Sequence, residues 1–259
     1  MPGKVIEMAT DGHIVTMTLN RPQKRNAITE AMWREIADRA HDLANDPTVR
    51  VLIMRGVDAT AFSAGADIAE FGRVHRSYQT ADGYRQAVDA AYEAVASLEK
   101  PTIAMIQGIC FGGGCALSLC CDLRYADATA SFCIPPAKLG LVYSFKETKR
   151  LADLVGPAMA KEMLMGARVV AAEESLRIGL ATRLFDPPDL ERETYAFARN
   201  LAELSQATIT AVKAMMGEIS KGATSDTEIS RRLVEAQFDS TDYKEGREAF
   251  LEKRKPRFA

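Results

Sequence analysis

A chain of 259 residues and 28.3 kDa suits one large domain, or one domain with a helical appendage, because single cores stop growing at about 250–300 residues. With 47% hydrophobic and 26% charged residues the composition is ordinary for a globular protein, which excludes disordered, collagen-like and disulfide-stapled chains. Thirty-three basic against thirty-five acidic side chains leave a net charge of −2, so no overall field draws nucleic acid or an acidic membrane surface, and an anionic ligand has to be caught locally.

Residues 5–8 and 13–19 read as two strands with Asp11-Gly12 as the turn, so the chain opens with a hairpin. Pro22 stops the second strand for want of a ladder donor, and Thr29 is placed to cap a helix running to Asn45. Met32, Trp33, Ile36, Ala40 and Leu43 recur along it at helical spacing and belong in the core. Residues 51–56 make a continuous apolar run, as in a strand covered on both faces; a loop over 57–67 and a helix after Asp67 follow. The unit then returns. A helix over 84–98 carries Val88, Ala91, Val95 and Leu98 on one face, Pro101 breaks it, residues 102–107 form a second buried strand, and a glycine loop opens a helix at Gly114. This repetition implies a layered α/β architecture with loops gathered at one end. After a strand over 131–134 the chain turns mainly helical, with Pro157 in one first turn, Gly179 ending another helix, and Asp186-Pro187-Pro188 before a long helical tail. A core over 1–190 and a helical region over 191–259 are expected.

The five cysteines, Cys110, Cys115, Cys120, Cys121 and Cys133, sit in apolar surroundings without CxxC pairs or neighbouring histidines, so buried thiols are expected rather than disulfides or a metal site. The most apolar stretch, residues 103–121, is interrupted by Gln107, Ser118 and the glycines between them, and does not read as a membrane span. Met1 leads straight into strand-like sequence with no leader pattern, so a cytoplasmic location is expected.

Two stretches share one physical form, a buried strand running through small residues into a helix: Ala61-Phe62-Ser63-Ala64-Gly65-Ala66-Asp67 and Ile109-Cys110-Phe111-Gly112-Gly113-Gly114-Cys115. Such bends can present bare backbone amides, and two amides aimed at one oxygen stabilise developing negative charge by about 2.7–4 kcal/mol per donor in a closed site. Either bend alone reads equally well as a tight turn. A phosphate-gripping loop is excluded, because the second bend lacks the Gly-Lys-Ser/Thr ending, and its spacing is not that of a dinucleotide fingerprint.

Leu19-Asn20-Arg21-Pro22 with Arg25-Asn26-Ala27, the loop 61–68, the loop 111–115 ending in Cys121-Asp122-Leu123, and the tail 245–255 together resemble, in order, the crotonase or enoyl-CoA hydratase/isomerase superfamily. The resemblance implies a spiral of strand-strand-helix units, a helical C-terminal region that trimerises, often with trimers paired into hexamers, and a coenzyme A thioester as substrate, with no permanently bound cofactor or metal. By position it implies that the amides of Ala66 and Gly113 hold the thioester oxygen, and that Arg25, Ala64, Asp67, Ile68, Phe250 and Lys253 contact substrate or CoA. For Lys253 a solvated basic tail is the competing reading. Where hydratases of the family carry two glutamates, this chain has Ala116 and Pro136. A lost acid/base group typically costs about 10²–10⁴ in rate, so ordinary hydration is in question. Tyr143, in Leu139-Gly140-Leu141-Val142-Tyr143-Ser144, resembles the tyrosine of decarboxylase-like members. The leading expectation is therefore a lyase acting on a malonyl-type acyl-CoA. The alternatives are a hydratase or isomerase with a displaced acid such as Glu147, and a non-catalytic acyl-CoA-binding protein. Lys138, Lys146 and Glu147 flank the tyrosine; Glu70 reads as structural.

Overall fold

The computed structural model describes residues 4–74 and 76–258. β1 (Ile6–Asp11) and β2 (Ile14–Leu19) pair antiparallel from Ile6↔Leu19 to Asp11↔Ile14. The turn is thus Gly12-His13, one position later than expected, with Gly12 supplying the left-handed conformation at φ 58°. α1 (Glu30–Asn45) starts on the expected cap: the Thr29 hydroxyl accepts the Met32 N–H at 3.3 Å, and Trp33, Ile36 and Leu43 are buried.

Three successive passes then lay one strand in each of two sheets before a helix. The first is β3 (Val51–Gly56), β4 (Ala61–Ser63), then α2 (Phe71–Val74) and α3 (Tyr78–Ala96). The second is β5 (Thr102–Ile106), β6 (Ile109–Phe111) and α4 (Gly112–Ser118). The third is β7 (Leu123–Asp127), β8 (Ser131–Cys133), α5 (Pro136–Leu139) and α6 (Phe145–Gly166). β9 (Val170–Ala171), α7 (Ala172–Arg177) and β10 (Arg183–Phe185) close the core. One sheet has the order β1-β2-β3-β5-β7-β10, the other β4-β6-β8-β9, and every pairing is parallel except β1/β2 and β8/β9. This is the layered α/β architecture that the repetition implied, in the form of the strand-strand-helix spiral that the resemblance implied.

Some boundaries moved for local reasons. β4 interrupts the expected 57–67 loop, because three residues are too few to show an alternation. α3 begins at Tyr78 rather than 84, since a polar first turn closed by a Ser77/Thr80 capping box carries no apolar signal. α4 begins at Gly112, two residues before the expected start. α6 breaks at Gly156 (φ 77°, ψ 158°), and Pro157 opens the second segment as its missing N–H permits.

The helical tail divides in its packing. α8 (Leu190–Glu203) lays Leu190, Ala198 and Ala202 on Ile14, Val51, Ile53, Ile103 and Tyr125, covering the outer face of the larger sheet. α9 (Gln206–Ser220), α10 (Glu228–Gln237) and α11 (Thr241–Leu251) bury little; Met216, Ile219, Val234, Phe238 and Phe250 are exposed. All five cysteines are free and buried, and burial pushes the Cys121 thiol upward and that of Cys120 up to about 12. Among the described residues no helix is long and apolar enough to cross a membrane.

Candidate active site

The first bend is held by two polar side chains. Asn26, fully buried and left-handed at φ 55°, donates from Nδ2 to the Ala61 carbonyl (2.8 Å) and accepts the Arg21 N–H on Oδ1 (2.9 Å). Ser63 Oγ donates to the Asn26 carbonyl (2.7 Å) and accepts the Gly65 N–H (3.0 Å). Ile28 bridges the strand-like residue Ala66: its N–H donates to Gly65 O (2.8 Å) and its carbonyl accepts the Asp67 N–H (2.9 Å). Because backbone groups alternate in direction, the Ala66 N–H faces away from Ile28, and it has no acceptor among the described residues.

The second bend is the start of α4. Phe111 precedes it without a side-chain cap, Gly112 is left-handed at φ 52°, and Gly113 at the second helical position has no intrahelical acceptor for its N–H. The two bends touch through their backbones. A Cβ on Gly65, whose φ is 95°, would stand 2.8 Å from the Phe111 carbonyl and 3.0 Å from the Gly113 nitrogen; one on Gly114 would lie 2.5 Å from Ser63 Cβ. Only glycine permits this approach, and it brings the first bend, where Ala66 follows Gly65, up to the Gly113 amide; neither amide has an acceptor among the described residues.

Tyr143 stands over this junction, its hydroxyl 3.8 Å from where a Gly112 Cβ would be. Burial, and secondarily the charge of Glu147, push its ionisation well upward, so the phenol stays neutral and can donate. Glu147, in the first turn of α6, closes a capping box: its Oε2 accepts the Ser144 N–H (2.8 Å) and its own N–H donates to Ser144 Oγ (3.3 Å). Its second oxygen accepts no hydrogen bond among the described residues. Burial raises the Glu147 carboxyl above its usual range although the Ser144 hydrogen bonds pull it down. Ala116 is buried in α4 and Pro136 is the first residue of α5, so neither family glutamate position holds an ionisable group.

The remaining expected residues fall into three groups. Arg25 is exposed and left-handed (φ 49°), its carbonyl accepting the Ala64 N–H at 2.8 Å; both line the first bend, beside the exposed Ile68. Asp67 is engaged within the protein: burial works against its charge, but Arg21 Nη1 at 2.6 Å and the Ala69 N–H at 3.1 Å hold its carboxyl below the usual range. Glu70 accepts the Glu30 N–H (2.7 Å) and pairs with Arg73, a structural role. Phe250 lines a pocket of about 970 Å³ between α9, α10 and α11, away from both bends, and Lys253 follows on the exposed turn after α11. Lys146 pairs with Glu93 at 3.2 Å and Lys138 is exposed.

A model of the family described as enoyl-CoA hydratase/isomerase matches residues 9–259. The chain belongs to the enoyl-CoA hydratase/isomerase family. It is 36% identical over 251 residues to a crotonyl-CoA hydratase of Syntrophomonas wolfei, covering 95% of this chain and 94% of the relative. It is 32% identical over 251 residues to a short-chain-enoyl-CoA hydratase of Clostridium acetobutylicum, at 95% and 94% coverage. Among solved structures, an enoyl-CoA hydratase/isomerase family protein from Hyphomonas neptunium superposes with a TM-score of 0.95 at 35% identity, covering 99% of this chain and 98% of that one. The fold is therefore the crotonase fold, and the protein is an acyl-CoA-transforming enzyme of that superfamily. Both relatives are named hydratases, so the lyase expectation gains nothing from them and the hydratase alternative gains support.

Sequence reasoning gave little weight to Asn26, quoted only within a motif, although a buried left-handed asparagine holds the first bend together. It also passed over Tyr92, whose hydroxyl donates to the Gly113 carbonyl at 3.1 Å. The helical face of α3 was assigned from its aliphatic residues, and nothing local marks one tyrosine on it as reaching α4.

Proposed function

We propose that the protein is an enoyl-CoA hydratase or isomerase whose proton-handling group has moved from α4 and α5 to the start of α6. What supports the reading is the backbone contact at Gly65, the neighbour of Ala66, whose would-be Cβ lies 3.0 Å from the Gly113 nitrogen. A thioester carbonyl placed there accepts both. When water adds to the β carbon, the double-bond electrons move onto the thioester oxygen, and two amide donors stabilise that enolate by about 2.7–4 kcal/mol each. Glu147 takes the proton from the attacking water on its second oxygen and returns it to the α carbon, which completes the addition and restores the carboxylate. In the isomerase variant the same carboxyl carries a proton from the γ to the α carbon. The neutral Tyr143 hydroxyl orients the acyl group. Its raised carboxyl suits Glu147 to exchange protons with substrate.

Arg25, Ala64 and Ile68 flank the thioester, with Asp67 ordering the bend through Arg21. Phe250 and Lys253 serve the nucleotide end of CoA on a neighbouring subunit, in a homotrimer or a hexamer built from the exposed apolar faces of α9 to α11. CoA enters as part of the substrate, the enzyme works in the cytoplasm, and the chemistry calls for no resident cofactor. The purified protein with crotonyl-CoA, a 3-enoyl-CoA, and malonyl- and methylmalonyl-CoA tests this. Loss of the conjugated enoyl absorbance, or its appearance from the 3-enoyl thioester, is expected; CO₂ release from the malonyl thioesters alone would move the protein to the lyase reading, and binding without turnover on any of them to a binding protein.

A further inference from the structure

Gly113 is clasped from behind. A Cβ on it would stand 3.1 Å from Trp33 Cζ2 and 3.2 Å from the Tyr92 hydroxyl, tight enough that α1 or α3 would have to give by a few tenths of an ångström. That close fit favours glycine, and glycine brings the softest φ and ψ of any residue to the position whose N–H has to be aimed. One contact opposes that softness directly: the Tyr92 hydroxyl donates to the Gly113 carbonyl at 3.1 Å. The donor is itself fixed. Tyr92 is 2% exposed and its ring meets Trp33 edge-on at 5.4 Å. We propose that Tyr92 is a positioning residue, which pins the Gly113 carbonyl from α3 and thereby sets the direction of the Gly113 N–H toward the thioester oxygen.

The inference rests on the oxyanion reading above. Tyr92 does not touch substrate; it acts by restricting rotation about Gly113, and a mis-aimed amide loses more on an enolate oxygen than on a neutral carbonyl. Tyr92→Phe removes the hydroxyl and keeps the ring. Acetoacetyl-CoA is a suitable probe, since its enolate absorbs in the ultraviolet and a site that stabilises the enolate lowers the pH at which it forms. Wild-type protein is expected to lower that pH and Tyr92→Phe to return it toward the free value. On the best enoyl substrate, kcat should fall about tenfold with KM within twofold, below the roughly 10²–10³ cost of losing a whole donor. Binding of the saturated butyryl-CoA, whose carbonyl carries no developing charge, should be unchanged. Tyr84→Phe is the control, removing another buried α3 hydroxyl that meets Trp33 instead of Gly113, and it should leave the enolisation pH as in wild type. Equal enolisation in Tyr92→Phe and wild type, or equal losses in the two variants, overturns the inference; should the wild type fail to perturb enolisation, the oxyanion reading falls and this inference with it.

Discussion

Gly65→Ala probes the approach of the two bends. The new Cβ would stand 2.8 Å from the Phe111 carbonyl oxygen and 3.0 Å from the Gly113 nitrogen, both main-chain atoms with no rotamer to escape into. It would also hold alanine at φ 95°, where L side chains are strained. Strain of this kind costs about 1–3 kcal/mol, and with the collision we expect a loss of about 2–4 kcal/mol. At 2–4 °C per kcal/mol for a domain of this class, Tm falls by roughly 5–15 °C. Because relief requires the α4 end to move, the Gly113 amide leaves its aim, and kcat should fall by about 10²–10³, as for a lost oxyanion donor. Gly12→Ala separates the two effects: its φ is 58°, nothing lies within 4 Å of its Cβ, and it should lose about 1 kcal/mol and no activity. Steady-state kinetics and thermal unfolding of both variants give the comparison. A folded Gly65→Ala protein turning over within twofold of wild type would refute the claim that the two bends make one site.

Glu147, raised by burial, needs to be ionised to accept a proton, so turnover should drop as pH falls through a value above the usual 4.5, and Glu147→Gln should lose about 10²–10⁴ together with that limb. The same shift destabilises the fold as pH rises from 4.5 through the raised value, because the folded state then holds a buried charge. Glu147→Gln, which keeps the capping-box pattern, should therefore unfold no more easily than wild type at neutral pH. Asn26→Ala strips partners from the buried Ala61 carbonyl and Arg21 N–H and leaves alanine at φ 55°; chemical denaturation should read a loss of about 3–5 kcal/mol. With all five thiols buried, a chromogenic thiol reagent should find none reactive in the native protein and five after denaturation; fast native labelling would contradict the packing around α4.

The periodicity of α1, the apolar runs of β3 and β5, the breaks at Pro101 and Asp186-Pro187-Pro188, and Pro157 in a first helical turn were legible because each is a local property: side-chain spacing, or a residue that cannot continue an element. The two small-residue bends were legible for the same reason, as were the empty glutamate positions at Ala116 and Pro136. Their meeting at Gly65 was not, since 61–67 and 109–115 lie far apart in sequence and only parallel pairing of β4 with β6 sets them side by side. Tyr92 and Glu147 show the same division. Composition identified them as a phenol and a carboxyl. Their surroundings, the one against the Gly113 carbonyl where α3 meets α4 and the other buried on the cap that opens α6, come from the tertiary packing and decide what each can do. Chain chemistry determined which backbone could come close; the spiral decided where it does, because burial and convergence are properties of neighbours that the chain supplies from a distance.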